Sequence, residues 1–365
     1  MRNMANQNRK ILLFSLATIV VTFIAAWIGF SIFESQYPNV FEIWRRWDTR
    51  MYLRIAEVGY QNTREGMFLI TVLPLYPFTV RLLSILVNNT LIASLVVSNA
   101  FYVIALLVLY KLVKLDFSDK VAWRTIFYMS IFPAAYFLHA GYSESMFIAF
   151  VVIATYFARK EKWVLAGSFG ALGVLTRITG VVLIPYLLMA YLESKKFNFR
   201  KIKSEILFLL LPIFGFVTYL YINFKIFGNP LQFLTSLRIF FWEWPSLPWQ
   251  GLVRAITRFN TLPPEAWMIE GGMVLLFWVF CICLLIYSIK KIRLSYSIFA
   301  WLSFIFVSAT TTWSSLPRFM LTFFPIFISL ALIGKSKINK FLITYSFIFL
   351  QSIFLILYVR EHWAF

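Results

Sequence analysis

The stretch FEIWRRWDTRMYLRIAEVGY, residues 41–60, sets a single Asp, Asp48, among Trp44, Trp47, Tyr52 and the arginines Arg45, Arg46, Arg50 and Arg54. Read as a helix over 42–59 at 100° per residue, it puts Arg46, Arg50 and Arg54 on one stripe with Glu57 beside it. Trp44, Met51, Tyr52, Ile55 and Gly59 form the opposite face, and Asp48 lies with them. Such an amphipathic helix suits a membrane surface. A carboxylate on its buried side is costly unless something pairs with it or uses it. Asp48 can be the N-cap of a helix beginning at Thr49, with Trp47 an interface anchor. It can equally be an acid that does chemistry, and the two readings are compatible.

Other polar side chains stand between apolar runs. His139, Tyr142 and Glu144 lie in FPAAYFLHAGYSES (132–145), Arg177 in LTRITG (175–180) and Arg318 behind Pro317 in TTTWSSLPRFMLTFFP (310–325). The bland readings are a satisfied histidine at a helix end for His139 and a snorkelling anchor for Arg318. Intramembrane arginine is costly and is usually paired or lines a pathway. Arginine also suits phosphate, because its fork donates two parallel hydrogen bonds.

The elements that must position these groups are membrane helices. The chain of 365 residues is 61% hydrophobic, 20% aromatic and 13% charged, far from a soluble composition. Apolar runs near the length that crosses a bilayer recur at about 11–33, 68–87, 90–112, 122–139, 145–158, 163–177, 178–192, 206–227, 271–289, 295–312, 319–334 and 341–359. The fold class is an all-α polytopic bundle of about 11–12 transmembrane helices, a single membrane domain over 1–365. The first outer loop (34–67) carries the interfacial helix, and a second long outer loop spans 228–270. The N-terminal run is too long for a signal peptide and reads as an uncleaved first span with a cytoplasmic N-terminus.

Net charge is +19, but its distribution speaks against nucleic acid. With the N-terminus, the short loops 111–124, 159–162, 193–203, 290–293 and 335–340 hold 21 of the 34 Lys and Arg, and all fit a cytoplasmic side. Lys225 is the one lysine outside that set. This arrangement requires that 68–87, broken by Pro74 and Pro77, be re-entrant or partly outside the core. The pair 163–192 is also short for two passes. Both irregularities suit helices lining an outward-facing cavity. The Trp-rich FFWEWPSLPWQ (240–250) fits membrane anchoring, and Trp can also stack on sugars. GSFGALG (167–173) reads as helix packing, and Cys281 and Cys283, two apart in one run, read as packing residues.

Walker, HExxH, CxxC, GxSxG and DxD patterns are absent. The outer acids are separated, so no metal site and no divalent cofactor is predicted. A transporter or lipid flippase is the alternative function. It also accounts for intramembrane arginine and broken helices, but the internal repeats common in transporters are missing.

WDTRMYLRIAEVGY (47–60), PLYPFTVRLL (74–83), FPAAYFLHAGYSES (132–145), LTRITG (175–180), GNPLQF (228–233) and SLPRFMLTFFP (315–325) resemble, in order, motifs of the PIG-V-like mannosyltransferases of the GT-C superfamily. The segment beyond 325 departs in length and adds little to the match. The resemblance implies a GT-C-like arrangement and a polyprenyl- or dolichyl-phosphate sugar donor. It implies transfer outside the cytoplasm to a lipid-linked glycan or other acceptor. Asp48 occupies the place of the acid that GT-C enzymes carry in the first outer loop, preceded by Trp47 as in the family. Tyr142, Glu144 and His139 match the family's Tyr-x-Glu pattern and preceding histidine, and Arg177 and Arg318 match later arginines. The expected mechanism is inverting, with Asp48 as base and Arg177, Arg318 and one of Arg50 or His139 on the departing phosphate. Tyr52 and Trp47 complete the expected substrate-binding set. Mannose rests on the resemblance alone. The expected location is the plasma membrane of a prokaryote, or the endoplasmic reticulum membrane of a eukaryote.

Overall fold

Caps at the edges of apolar runs set where a few of the helices begin or end. In the computed structural model, which describes residues 2–32, 39–261, 268–311, 313 and 315–362, Asn89 caps α5 (Thr90–Val113) by accepting from Ile92 N at 2.9 Å. Ser336 does the same for α17 (Lys337–Val359), at 3.1 Å from Asn339 N. Gly228, at φ 72°, closes α10 (Leu211–Phe227) in the left-handed conformation.

Among the described residues, five helical stretches are long and apolar enough to cross a bilayer: 5–31 within α1 (Arg2–Ser31), 90–113, 204–227, 271–291 and 337–359. Five further apolar helices have only 10–17 residues. The centre is built on α7 (Glu144–Arg159), which packs on both α5 and α8 (Trp163–Thr176). Helices enclosed by protein need not match the bilayer thickness, because neighbours satisfy their ends. Periodicity alone reads such helices as full spans. GSFGALG lies in α8 against the 204–227 stretch, so close that a Cβ on Gly167 would stand 1.9 Å from the Phe208 carbonyl oxygen.

Several expected spans are broken. The stretch 68–87 resolves into α3 (Arg64–Leu69), an irregular link and α4 (Leu75–Val87). At 1.5 Å per residue α4 is roughly 20 Å long, short of the hydrocarbon core. The run 122–139 becomes α6 (Asp119–Ser130), a turn and a 3₁₀ segment at Ala135–Leu138. A 3₁₀ turn at Ile178–Val182 leads into α9 (Leu183–Ser194). The run 319–334 divides into α15 (Leu316–Met320) and α16 (Phe324–Ile333), with Pro325 in the first turn of the second. The expected helix 42–59 is interrupted too: a short 3₁₀ turn covers Glu42–Trp44, and α2 begins only at Asp48 and runs to Val58. Its apolar face, with Met51, Tyr52, Leu53, Ile55 and Ala56, is buried against α4 and α5, while Arg50 and Arg54 stay exposed.

The ends of the bundle differ in chemistry. At the C-terminal end of α7, Arg159 bonds Asp116 at 2.9 Å and the Tyr296 hydroxyl at 2.7 Å. Arg293 reaches Glu193 at 3.4 Å, and Lys195 reaches Glu161 and Glu205, each at 3.0 Å. Four of the basic loops, 111–124, 159–162, 193–203 and 290–293, therefore meet there. Glu144 opens the same helix 15 positions earlier, roughly 23 Å away.

Candidate active site

The site begins with a strained turn. Trp47 has φ 45° and ψ −121°, and Thr49 N donates to the Arg46 carbonyl at 3.0 Å. This is the first central position of a type II′ turn, normally glycine. Holding a tryptophan there costs about 1–3 kcal/mol. The turn sets Asp48 as the first residue of α2. The N-cap position falls to Trp47 and has no side-chain cap bond, so the capping reading of Asp48 does not hold.

Asp48 is paired instead. Arg318 Nη1, from α15, donates to Asp48 Oδ2 at 2.6 Å. Its Nε donates to Glu144 Oε1, the first residue of α7. Arg177, at the C-terminal end of α8, donates from Nη1 to the same Glu144 oxygen at 2.7 Å and to Ser143 Oγ at 3.1 Å. Ser143 Oγ in turn lies 2.8 Å from the Tyr52 hydroxyl. The Arg318 guanidinium lies over the rings of Tyr142 and Phe137, at 4.5 and 5.0 Å, and Arg177 over Phe319 at 5.4 Å. Four segments far apart in sequence thus deliver two carboxylates and two guanidinium groups to one place.

The electrostatics are those of a closed circuit. Glu144 is fully buried, and breaking such a pairing by removing one partner costs ~3–5 kcal/mol. Burial opposes the charge of Arg318, but Glu144 and then Asp48 outweigh it and hold its pKa well above the ordinary arginine value. Burial, with Glu144 next, pushes the Tyr52 phenol up to about 12, so it stays protonated at neutral pH. The Asp48 side chain is a third exposed, against 9% for Arg318 and none for Glu144, so Asp48 is the carboxylate that solvent and ligands reach. One Glu144 oxygen, Oε2, and Arg177 Nε are buried without a hydrogen-bond partner.

The structure brings together Asp48, Glu144, Arg177 and Arg318, with Tyr52 and Tyr142 around them. It directs two expected residues, His139 and Arg50, elsewhere. His139 is buried, with Nδ1 2.9 Å from Asn99 Oδ1 and its ring against Tyr102. Arg50 donates to Glu361 and to the Arg45 carbonyl at 3.2 Å. Trp47 contributes its backbone conformation, with its ring partly exposed. Nor does Arg46 share an exposed stripe with Arg50 and Arg54. It is buried, and its Nη1 meets Glu361 Oε1 at 2.8 Å. Glu361 and Ser143 escaped the sequence reading. The only trace of Glu361 was an acid just past the last apolar run. The Trp-rich segment pairs with the link after α14 (Leu294–Ser308), where Trp244 N donates to Thr311 Oγ1 at 3.4 Å.

Residues 72–222 match the dolichyl-phosphate-mannose-protein mannosyltransferase family. The chain is 24% identical over 171 residues to GPI mannosyltransferase 2 of Schizosaccharomyces pombe, covering 46% of this chain and 36% of that protein. It therefore spans about a third of the length of that curated relative. The crystal structure of ArnT from Cupriavidus metallidurans bound to undecaprenyl phosphate is similar in fold. The TM-score is 0.55 at 14% identity, with 91% of this chain and 62% of that one covered.

Proposed function

We propose that the chain is a PIG-V-like member of the GT-C superfamily and, on that premise, an inverting glycosyltransferase. It moves a hexose, mannose by its likeness to GPI mannosyltransferase 2, from a polyprenyl- or dolichyl-phosphate donor to a lipid-linked glycan or other acceptor. The observation that carries this reading is the Asp48–Arg318 pair: a carboxylate open to solvent, 2.6 Å from a buried guanidinium.

In the proposed reaction Asp48 takes the proton of the acceptor hydroxyl as its oxygen attacks the anomeric carbon. The bond from that carbon to the phosphate oxygen breaks, and the electron pair leaves with the polyprenyl phosphate. Attack opposite the leaving group inverts the centre. A phosphodiester is already a good leaving group, so one carboxylate suffices, unlike the paired acids of glycosidases. Arg318 and Arg177 stabilise the departing charge, and the proposal asks for no divalent ion. Two acids and two arginines already balance in the cluster. The incoming phosphate must therefore draw Arg318 from Asp48, which leaves the carboxylate free for the acceptor. Undecaprenyl phosphate in the ArnT structure supports a lipid-phosphate ligand for this fold. The separation of the cluster from the Lys- and Arg-rich loops supports an extracytoplasmic site.

The test is transfer from labelled polyprenyl-phosphate-mannose in membranes carrying wild type or Asp48→Asn at matched expression. Label reaching acceptor with wild type and not with Asp48→Asn supports the reading. Equal transfer by both removes Asp48 as base and makes Glu144 the next acid to test.

A further inference from the structure

We infer that Arg46 and Glu361 are positioning residues: together they bolt the end of α17 to the turn that aims Asp48. The inference rests on the reading of Asp48 as base.

Locally, the turn 45–48 is held by the Arg45–Glu42 ion pair, at 2.8 Å, and by the bond from Thr49 N to the Arg46 carbonyl. Trp47 sits in a left-handed conformation unfavourable for a bulky side chain, and the turn lacks a side-chain cap. Further restraint comes from more than 300 residues away. Arg46 Nε and Nη2 both donate to the carbonyl of Val359, the last residue of α17, at 3.2 and 3.0 Å, while Nη1 donates to Glu361 Oε1 at 2.8 Å. That carbonyl is one of those left unsatisfied at a helix C-terminus, where a cation is also favoured. The same Glu361 oxygen accepts from Arg50, inside α2. Thus one carboxylate holds both flanks of Asp48. The Tyr358 hydroxyl donates to the Trp44 carbonyl at 3.4 Å, and the Tyr142 hydroxyl donates to the Arg46 carbonyl, also at 3.4 Å.

Arg46 is only 3% exposed. A lysine keeps its charge but cannot bridge a carbonyl and a carboxylate in this geometry. Loosening the clamp lets the Trp47 turn relax, and Asp48 loses its aim. Arg177, Arg318 and Glu144 stand on other segments and keep theirs. The clamp therefore serves proton transfer, and loosening it does not weaken phosphate binding. It also gives the C-terminal segment, which adds little to the family match, a part in the site.

The experiment compares Arg46→Lys and Glu361→Gln with wild type, in membranes that hold the native acceptors for the transfer assays and in detergent for binding and melting. It measures turnover from polyprenyl-phosphate-mannose, donor KM, undecaprenyl phosphate binding and thermal melting. Arg46→Lys is expected to lower turnover by about tenfold to a hundredfold, the cost of a misplaced reacting group, with donor and phosphate binding no weaker than wild type and at most the roughly tenfold tighter expected of Asp48→Asn. Glu361→Gln, which keeps an acceptor but loses the charge, is expected to lower turnover by about threefold or more. In an Asp48→Asn background neither change is expected to reduce turnover further, because both act through Asp48. Equal losses in that background, weakened phosphate binding by Arg46→Lys, or unchanged turnover in Glu361→Gln would each overturn the inference. Absence of transfer by wild type would instead overturn the glycosyltransferase reading, and the clamp's role with it.

Discussion

Arg318 Nη1 and Asp48 Oδ2 are 2.6 Å apart, joining residues 270 positions distant in the chain. The pair competes with any phosphate that uses Arg318. Replacing Asp48 by Asn should therefore do two opposite things. Transfer should fall by ~10²–10⁴, the worth of a positioned base. Binding of undecaprenyl phosphate should tighten by about tenfold, because a partly exposed ion pair no longer has to open. A binding titration on wild type and Asp48→Asn decides it, with Glu57→Gln as a control for general charge removal. Weaker binding by Asp48→Asn would mean that the phosphate does not draw on Arg318.

Arg318 and Arg177 are assigned to the departing phosphate. Charge-assisted hydrogen bonds contribute about 1.5–3 kcal/mol each, so Arg177→Gln and Arg318→Gln should each weaken undecaprenyl phosphate binding by roughly 10–100-fold. Titration of each variant with the lipid reads this directly. Unchanged affinity in Arg177→Gln would return that arginine to a purely structural partner of Glu144.

Glu144 is fully buried and accepts from both arginines. Glu144→Gln keeps the shape but leaves two guanidinium groups short of a counter-charge. A loss of ~3–5 kcal/mol in stability is expected. Thermal melting of the purified variant measures it, and an unchanged midpoint would show that the pairing is not structural.

Asp116 anchors the opposite end of the bundle through Arg159, Arg293 and Tyr296. Asp116→Asn should lower the melting temperature while transfer per folded molecule stays at the wild-type rate. A selective loss of turnover there would place part of the chemistry at the wrong end for this reading.

Where α8 meets the 204–227 stretch, Gly167 leaves no room for a side chain. The obstacle is the Phe208 carbonyl, a backbone atom that cannot swing aside. Gly167→Ala should cost about 1–3 kcal/mol by overpacking, read as reduced yield and an earlier melt. Tolerance of alanine would show that the two helices can separate.

The sequence by itself determined that this is a polytopic helical membrane protein, because apolar content and run length follow from composition alone. It also gathered the basic loops on one side, a sorting that needs only charge counting. The resemblance picked out Asp48, Glu144, Arg177 and Arg318 one by one. Only the tertiary structure joined them, since ion pairs 33–270 residues apart leave no local periodicity. The turn at Trp47 was illegible as well. A helical period drawn through 42–59 carries no sign of a bulky residue forced to positive φ, which only packing against distant segments can sustain. Packing likewise sent His139 to Asn99 and Arg50 to Glu361. Short enclosed helices such as α7 read as spans for the same reason: burial in protein and burial in lipid select the same apolar residues, and contact alone tells them apart.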